Sequence, residues 1–483
     1  MAGEVRTRRD VWGLSSPDPW HPTLLAYARA VQAMQQRPRT DARSWAYQAA
    51  VHGTTEAAPR GARWNECKHG SWFFLPWHRL YLDHFERIVR AVVVEQGGDE
   101  DWALPYWNIE APGASALPPA FRARTLPGGS TPNPLFVAQR APGINTGGRL
   151  PVASLASSRA LAARTYMPPP GAGFGGGRSG PVQFFGAAGD LERTPHNDMH
   201  VIIGGTGLMG DPNRAALDPI FWLHHANIDR LWSEWIVLAD GRANPTDRTW
   251  RNQRFPFADE RGTIVQRTVN QSLSTQALGY TYDTLADDEL PAAPAAAARS
   301  GGPTRRETAM ELVGASDAPV RLVGATARVD VDIDRRAAES FAAGNESVTP
   351  ARVYLALEDI EGDRNPGIVY EVHLVSTRRG AVPGDRHVGN VSFFGIEHVA
   401  SAGGDDAHGM RHVYDVTDLV GGLGAGGDWT REGVRVEFRP LGLLSPADAD
   451  DADDSDGSAD DGAAELPASP IPVSIGRVSL FFE

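Results

Sequence analysis

Several common features are scarce or absent in this 483-residue sequence. It has one cysteine, Cys67, so no disulfide bond can form within the chain. We find no run of eighteen apolar residues, and the arginines near the start are not followed by an apolar stretch, which argues against a membrane span and a secretory signal. We find no internal repeat. We therefore expect a cytoplasmic protein with no membrane partner.

Basic residues are also fewer than acidic ones, with 46 Lys and Arg against 60 Asp and Glu. The formal net charge is −14, whereas a protein that binds nucleic acid or anionic lipid needs clustered Lys and Arg. We therefore expect no nucleic-acid partner. Nine acidic residues and no basic residue fall within 446–465, which we predict to be a disordered acidic loop. The hydrophobic content of 41% is ample for globular cores, and the length favours two or more domains.

Apolar residues at helical spacing predict helices over residues 22–38 and 41–52, and a third helix from Trp77 to about Val94. Residues 111–185 are rich in glycine and proline and have little periodicity, so we predict long loops there.

Two further helix starts lie downstream of these loops. Thr194 with Pro195, and Asp218 with Pro219, each give a capping residue followed by a proline in the first turn. Both predicted helices carry histidines.

The pattern changes after about residue 284. Residues 286–309 are rich in proline, alanine and glycine and are predicted to be a linker. Alternating apolar and polar runs follow, such as VRLVGATARVDVDI and GIVYEVHLV. We therefore predict a mainly α domain over 1–285 and an all-β sandwich or barrel over 310–483, with the acidic loop inside it.

Nine of the fourteen histidines precede residue 226, and most of them form two groups. His196 and His200 are four residues apart, so on a helix they share one face and can bind one metal ion. An HxxxH pair alone is a weak signal. Hydrolytic zinc sites place a glutamate directly after the first histidine, but Asn197 stands there, so a zinc protease is disfavoured.

His224 and His225 are adjacent and lie about 100° apart around a helix, so we predict that only one of them faces inward. Packing favours His225, because it shares a helix face with Phe221 and Ile228. Clusters of neutral imidazoles without carboxylates favour copper or zinc over magnesium or calcium.

The chain resembles the tyrosinase family, the type 3 copper proteins that include catechol oxidases and hemocyanins. One matching signature is H-x4-F-L-P-W-H-R-x2-L-x3-E, from His69 to Glu86. The other is HNDMH at 196–200 followed by D-P-x-F-W-x2-H-x3-D from Asp218 to Asp229. The resemblance covers about residues 5–285 and implies an antiparallel four-helix bundle that holds two copper ions.

The resemblance also implies roles for particular residues. His84 and His224 are not among the implied copper ligands, and we expect each of them either to pack around the ligands or to lie at the surface. Cys67 stands two residues before His69, where fungal tyrosinases and molluscan hemocyanins have a cysteine joined to the histidine ring by a thioether. The ligands implied for one copper ion are His52, His69 and His78, and those for the other are His196, His200 and His225.

The implied activity is hydroxylation of monophenols, oxidation of o-diphenols to o-quinones, or both, with O2 as co-substrate. Glu192 and Asn197 match the pair that holds a water in plant-type enzymes, and N-terminal capping is an alternative role for Glu192. Met209 and Asn213 are candidates to line the substrate entrance, and plain loop packing is their alternative role. Small phenols are the expected partners.

Other functions are compatible with the same copper ligands. A hemocyanin-like O2 carrier, an o-aminophenol oxidase and a zinc-loaded relative without activity all remain alternatives at this point. The β domain resembles the C-terminal shielding domain of plant enzymes, which implies a latent form that is cleaved near the linker. A homo-oligomer is also compatible with the sequence.

Overall fold

The computed structural model describes the chain in segments, and the predicted linker 286–309 and acidic loop 446–465 lie outside the described residues. The described segments are 5–16, 18–167, 173–178, 180, 187–285, 310–334, 352–376, 386–400, 409–425, 434–444 and 471–483.

The chain divides into two compact units. We call Met1–Ala295 with Leu443–Ala464 the helical unit, and Ala296–Gly442 with Glu465–Glu483 the β unit. The predicted order, a helical region followed by a β domain, is confirmed. The predicted boundary at residue 285 stays a prediction.

The described part of the helical unit contains eleven α-helices, and most of its other residues form turns and loops. In chain order the helices are α1 (Val11–Leu14), α2 (Pro22–Gln35), α3 (Trp45–His52), α4 (Phe74–Glu95), α5 (Pro119–Arg122), α6 (Val152–Leu155), α7 (Ser158–Ala162), α8 (Asp198–Gly204), α9 (Ile220–Val237), α10 (Arg248–Asn252) and α11 (Thr275–Leu278).

Helix α4 lies at the centre of the unit and contacts both α2 and α9. It begins at Phe74, three residues before the predicted start, because Pro76 falls in the first turn, where its missing N–H would have no helical partner anyway. Nearly all residues of its first four turns are buried. A helix that is buried on every face forms a core element and can hold its side chains rigidly.

The segment before α8 is irregular. The chain is kinked within Glu192–Asn197, because Thr194 has an extended, non-helical backbone with φ −132° and ψ 123°. The Thr194 hydroxyl donates to the carboxylate of Asp198 at 2.6 Å. The helix that carries His196 and His200 therefore starts after Thr194, as the Thr-Pro pair predicts.

Four short strands complete the described part of the helical unit: β1 (Arg6–Arg8), β2 (Arg254–Ala258), β3 (Ile264–Thr268) and β4 (Tyr280–Tyr282). β1 and β4 pair in parallel, with Arg6 opposite Tyr280 and Arg8 opposite Tyr282. This pairing joins the start of the described chain to the end of the unit's first segment. β2 and β3 form an antiparallel hairpin beside α4.

The described part of the β unit holds nine strands in one sheet. The strands are β5 (Glu311–Ala315), β6 (Val320–Leu322), β7 (Ala327–Ile333), β8 (Val353–Glu361), β9 (Val369–Ser376), β10 (His387–Val391), β11 (Met410–Asp415), β12 (Val434–Leu441) and β13 (Val473–Phe482). Their order in the sheet is β10-β9-β12-β7-β5-β13-β8-β11, with β6 paired to β13. Helices Ile396–Ala400 and Thr417–Ala425 follow β10 and β11.

The two ends of this sheet approach each other. The Tyr414 hydroxyl on β11 donates to the backbone carbonyl of Asn390 on β10 at 2.7 Å. Valine, leucine and isoleucine side chains from the strands fill the interior. The predicted sandwich or barrel is therefore present as a nearly closed barrel. No described helix in either unit has both the length and the apolar content that crossing a bilayer requires.

Candidate metal centre

Three histidines from separate segments of the helical unit meet as a first triad. His52 ends α3, His69 lies in the loop before α4, and His78 is on the second turn of α4. Their ring centroids are 5.2 to 5.8 Å apart and all three are at most 3% exposed. One donor atom from each of them and the Cys67 sulfur lie within 4.8 Å of one another. This spacing allows one metal ion to contact all three rings.

A second triad comes from α8, the turn before it, and α9. The Nε2 atom of His225 lies 3.3 Å from His196 Nε2 and 3.2 Å from His200 Nε2. All three rings are buried. Three imidazole nitrogens that converge at this distance can share one cation.

Backbone carbonyls orient several of these rings. His52 Nδ1 donates to the Pro212 carbonyl at 2.9 Å, and His78 Nδ1 donates to the Phe74 carbonyl at 2.9 Å. His200 Nδ1 donates to the Met209 carbonyl at 2.8 Å. A hydrogen bond at Nδ1 fixes the tautomer and leaves the Nε2 lone pair for a metal.

The Pro212 carbonyl can reach His52 because the next residue is Gly53. A Cβ on Gly53 would lie 2.5 Å from the Pro212 oxygen, closer than side chains approach a carbonyl. Glycine at this position therefore lets the 209–213 segment pack against the end of α3, where its carbonyl orients a metal-binding ring.

The two triads face each other. His78 and His225 stack with centroids 4.5 Å apart and an interplanar angle of 15°. His69 and His196 are 5.7 Å apart across the same gap. Two cations held by these triads would therefore be close neighbours.

Burial sets the charge state of these rings. Desolvation, followed by the charges of neighbouring histidines, holds the pKa values of His78, His196 and His225 well below the ordinary value. The rings are therefore neutral at physiological pH and keep a lone pair. Within the described residues neither group of donor atoms includes a carboxylate, and imidazole donors suit copper or zinc better than magnesium or calcium.

Cys67 lies against the first triad and is fully buried. Its sulfur is 3.4 Å from His69 Nδ1, 3.7 Å from His69 Nε2 and 3.4 Å from His78 Nε2. Burial raises the pKa of the thiol well above its ordinary value, so the sulfur is protonated in the metal-free chain.

Glu192 and Asn197 lie on either side of His196 in the chain and are both buried. Glu192 Oε1 accepts a hydrogen bond from the backbone N–H of Gly70 at 2.7 Å, while its Oε2 has no hydrogen-bond partner among the described residues. Burial raises the pKa of Glu192 to about 8, despite the opposing Gly70 hydrogen bond. Asn197 Oδ1 accepts from His196 Nδ1 at 2.8 Å and thereby orients a ring of the second triad.

Met209 and Asn213 differ in their surroundings. Met209 is fully buried, and its carbonyl holds His200. Asn213 is half-buried, and its backbone N–H donates to the Asp211 carboxylate at 2.9 Å. Their assignment to a substrate entrance stays a prediction.

The two histidines left outside the predicted ligand set have different positions. His84 is buried beside β2 and β3, where its Nδ1 donates to the Ala258 carbonyl and its Nε2 accepts from Arg267 Nε at 3.1 Å. His224 instead lies against the second triad, with one nitrogen within 4.8 Å of donor nitrogens of His196 and His200. The nitrogens of His196 and His200 nevertheless lie closer to Nε2 of His225, at 3.3 and 3.2 Å. Both adjacent histidines of α9 therefore lie beside His196 and His200.

Phe74 and Phe221 enclose the rings, and we did not predict Phe74 as part of the site from the sequence. Phe74 lies 4.5 Å from His78 and 4.6 Å from His196, between centroids. Phe221 lies 4.9 Å from His52 and 4.1 Å from His225. Each phenylalanine therefore bridges the two triads. The position of Phe74 one helical turn before His78 is the signal that identifies it.

Comparisons with known families match most of the chain. The common central domain of tyrosinase matches residues 42–150 and 153–238, and the polyphenol oxidase middle domain matches residues 244–292. A domain of unknown function matches residues 309–449, which covers much of the β unit.

Individual relatives agree with these matches. Tyrosinase HcTyr1 of Hahella sp. is 32% identical over 99% of this chain and 100% of its own length. Polyphenol oxidase A1 of Vicia faba is 31% identical over 54% of this chain, which spans about half of that protein (45%). The fold resembles latent apple tyrosinase (20% identity, TM-score 0.60, 100% of this chain and 98% of that chain) and latent aurone synthase (20% identity, TM-score 0.62, 100% and 90%). The chain therefore belongs to the tyrosinase and polyphenol oxidase family of dicopper oxidoreductases.

Proposed function

We propose that this chain is a polyphenol oxidase that hydroxylates monophenols and oxidises o-diphenols to o-quinones. The observation that carries the proposal is the pair of facing imidazole triads, which meet where His78 stacks on His225. Oxidation of two o-diphenols releases four electrons and four protons, which reduce one O2 to two waters. Conversion of a monophenol to an o-quinone consumes one O2 and releases one water.

The proposed ligands divide between the two sites as follows. His52, His69 and His78 would hold one copper ion, and the other would be held by His196, His200 and His225. Copper in this setting supplies reversible electron transfer to O2 at a position that bulk water does not reach. The protein fixes the rings through the carbonyls of Pro212, Phe74 and Met209, so that little reorganisation is needed during the reaction.

Glu192 and Asn197 are proposed to hold a water that takes the proton of a monophenol. The support is that Glu192 Oε1 is anchored on Gly70 N–H while the buried Oε2 has no hydrogen-bond partner among the described residues. A buried carboxylate oxygen in this situation gains from binding a water. Asn197 keeps His196 oriented beside it.

Cys67 is proposed to form a thioether with His69. Its sulfur is near both ring nitrogens of His69, and the one carbon bonded to both nitrogens is Cε1, so Cε1 is the carbon that a new bond would reach. The S–H and C–H bonds break, a C–S bond forms, and O2 accepts the two electrons and two protons released. The bond would fix the ring of His69 relative to Cys67.

The β unit is proposed to shield the copper centre and to keep the full chain latent. Two of the similar solved structures, latent apple tyrosinase and latent aurone synthase, are latent forms whose folds match all of this chain. Cleavage within 286–309 is the proposed activation step. Leu444 belongs to the helical unit and its N–H donates to the Arg149 carbonyl at 2.9 Å, so a chain that ends at residue 285 tests latency more cleanly than a cut does.

Small phenols are the proposed substrates, and a cytoplasmic location and a homo-oligomer remain proposals. Cell fractionation tests the location, and light scattering of the purified chain tests the oligomeric state.

Oxygen uptake decides the function. The copper-loaded full chain and the chain ending at residue 285 are each given a monophenol, an o-diphenol and an o-aminophenol under air, and quinone absorbance is followed. Uptake with both phenol classes supports the proposal. Reversible O2 binding without any product would indicate a carrier, and turnover of the o-aminophenol alone would indicate an o-aminophenol oxidase.

A further inference from the structure

The basic side chains of this sequence are almost all arginines. Lysine and arginine together number 46, and Lys68 is the single lysine. The single cysteine, Cys67, stands directly before it, and the proposed ligand His69 stands directly after it. The whole chain therefore carries one amine and one thiol among its side chains, and the two are neighbours in the sequence.

Burial withdraws both of these groups from solvent. Cys67 is fully buried, and Lys68 is 8% exposed. The sulfur of Cys67 lies against the rings of His69 and His78. Apart from the small exposed part of Lys68, the surface therefore presents no amine or thiol side chain.

This composition matters for the product of the proposed reaction. An o-quinone is an electrophile whose ring carbons accept the lone pair of an amine, a thiolate or a neutral imidazole. Lysine supplies such a lone pair from its deprotonated fraction, and the thiolate is the nucleophilic form of cysteine. Arginine supplies none, because its guanidinium stays protonated in proteins. A surface whose basic groups are arginines therefore gives an o-quinone few positions to attach.

Imidazoles are the remaining nucleophiles, and burial covers most of them. In the part of the chain that the structure describes, His387 alone is an exposed histidine, His21 and His398 are partly covered, and the others are buried. His21 Nδ1 accepts from the Thr23 N–H at 3.2 Å, which occupies its lone pair. The Nε2 atom of His398 is buried. His387 is therefore the described histidine that an o-quinone in solution reaches most easily.

The hydrogen bonding of His387 leaves one of its nitrogens nucleophilic. His387 begins β10, opposite His373 of β9. Its Nε2 lies 3.0 Å from Asn390 Oδ1, an oxygen that can only accept a hydrogen bond. Nε2 therefore carries the proton, and Nδ1 keeps the lone pair.

We propose that free o-quinone attaches to this chain at the imidazole of His387, and that the use of arginine in place of lysine keeps the rest of the surface unmodified. The Nδ1 lone pair adds to a ring carbon of the quinone, so that a C–N bond forms and the quinone gains two electrons. The proton of that carbon and the Nε2 proton pass to the two quinone oxygens. The product is an o-diphenol bonded to the imidazole, and the chain gains the mass of one quinone.

This inference rests on the proposed function, because the o-quinone is the proposed product, and it explains how the chain withstands that product. The test uses o-benzoquinone prepared in advance, so its result does not depend on whether the chain oxidises phenols. Copper-loaded full chains are incubated with the quinone at neutral pH. Intact mass gives the number of adducts, and peptide mapping assigns each one to a side chain or to the α-amino group.

Four variants are compared with the wild-type chain. His387→Asn removes the proposed site, and His21→Asn is its control, because asparagine also caps a helix N-terminus and α2 keeps its cap. Arg164→Lys and Arg178→Lys each place one amine at a position where the arginine side chain is 72% and 62% exposed, respectively.

We expect the side-chain adduct of the wild-type chain and of His21→Asn to lie on the peptide that contains His387. His387→Asn should lose this adduct. Arg164→Lys and Arg178→Lys should keep it and should each gain a second adduct at the new lysine, because an exposed amine is then available. The peptide that contains Lys68 should remain unmodified in every chain.

A wild-type chain with no adduct at His387, or with side-chain adducts mainly elsewhere, would overturn the proposal. Arg164→Lys and Arg178→Lys chains that gain no adduct would overturn the part assigned to arginine, and so would modification of Lys68 in the wild-type chain. If His387→Asn does not fold, the peptide map of the wild-type chain still decides the site. Failure of the chain to take up oxygen with any phenol would contradict the proposed function and would leave these adduct results unchanged.

Discussion

His78 of α4 and His225 of α9 stack with their ring centroids 4.5 Å apart and their planes 15° from parallel, although each belongs to a different triad. The contact between α4 and α9 is thus also the contact between the two proposed copper sites. A change in the packing of either helix would alter the separation of both sites.

Loss of His225 should empty one site and leave the other filled. We expect His225→Asn to bind one copper ion instead of two and to lose at least about a hundredfold in kcat/KM for an o-diphenol, since even changes in residues that only support ligands cost 10- to 100-fold. Metal analysis and oxygen uptake measure the two effects. A variant that retains two ions would show that His225 is not a required ligand.

Replacing Glu192 should separate the two activities. Glu192→Gln keeps the size of the side chain but removes the ionisable carboxyl group that is proposed to hold the proton-accepting water, so monophenol hydroxylation should fall by roughly a hundredfold while o-diphenol oxidation changes little. Glu234→Gln, which alters a partly exposed carboxylate paired with Arg230, is the matched control. Equal losses for both substrates would argue against a role in proton transfer.

The thioether makes a prediction about mass. Copper-loaded protein exposed to O2 should be two hydrogen atoms lighter than its sequence requires and should show no free thiol after unfolding, because Cys67 is the single cysteine. A tryptic peptide that links Cys67 to His69 should survive reduction. Cys67→Ser should have its sequence mass. A wild-type chain whose thiol reacts fully after O2 exposure would rule the bond out.

Arg8 should be essential for stability. Its guanidinium donates to Glu86 at 2.7 Å and to Asp229 at 3.2 Å, and it lies 3.6 Å from the ring centre of Tyr280. Burial opposes ionisation of Asp229, but the charges of Arg79 and Arg8 outweigh it and keep its pKa low. Arg8→Met leaves Glu86 and Asp229 buried with one counter-charge each, from Arg90 and Arg79, instead of two, so we expect a loss of about 3 kcal/mol in the free energy of unfolding.

The control for this loss is Arg164→Ala, in the same unit. Arg164 pairs with Asp240, and both side chains are more than half exposed, so its removal should cost no more than about 1 kcal/mol. Denaturant unfolding measures both variants. Comparable losses would mean that the buried pairs of Arg8 contribute no more than a surface pair.

His84 should make the fold sensitive to acid. Burial, and then the charges of Arg267 and Arg87, lower the pKa of His84 to about 3, whereas the unfolded chain binds this proton near pH 6.5. Between these values the unfolded state binds more protons, so the free energy of unfolding falls as the pH falls, by up to about 1.4 kcal/mol per pH unit.

His84→Asn removes this titration. Its free energy of unfolding should therefore decrease less steeply than that of the wild-type chain between about pH 6 and pH 4. The slopes are compared, because the lost hydrogen bond to Arg267 lowers the variant's stability at every pH. Parallel slopes would show that His84 does not titrate on unfolding.

The broad arrangement could be predicted from spacing. Apolar residues that recur about every 3.6 positions predicted helices α2, α3 and α4, and apolar residues that alternate with polar ones predicted the strands of the β unit. Burial of one face of a helix or strand imposes these periods on the sequence. The predicted ligands His52 and His69 could be paired only through the family resemblance, since the loop between them has no periodicity that would fix its path.

Other features depend on backbone atoms or on contacts distant in sequence. The carbonyls of Pro212 and Met209, which hold His52 and His200, belong to a loop whose conformation no side-chain pattern specifies. The helical argument that only one of His224 and His225 faces inward did not anticipate that both rings lie beside His196, because His196 belongs to a separate segment that follows a kink at Thr194.

The parallel pairing of β1 with β4 has a consequence for biosynthesis. Arg8 precedes Tyr282 by 274 residues in the chain, yet the rings of Tyr280 and Tyr282 cover its guanidinium. At roughly 5 to 20 residues per second, tens of seconds separate the synthesis of Arg8 from that of these tyrosines. β1 therefore leaves the ribosome before its partner strand β4 exists, and the charged groups of Arg8 and Glu86 stay hydrated until β4 has been synthesised.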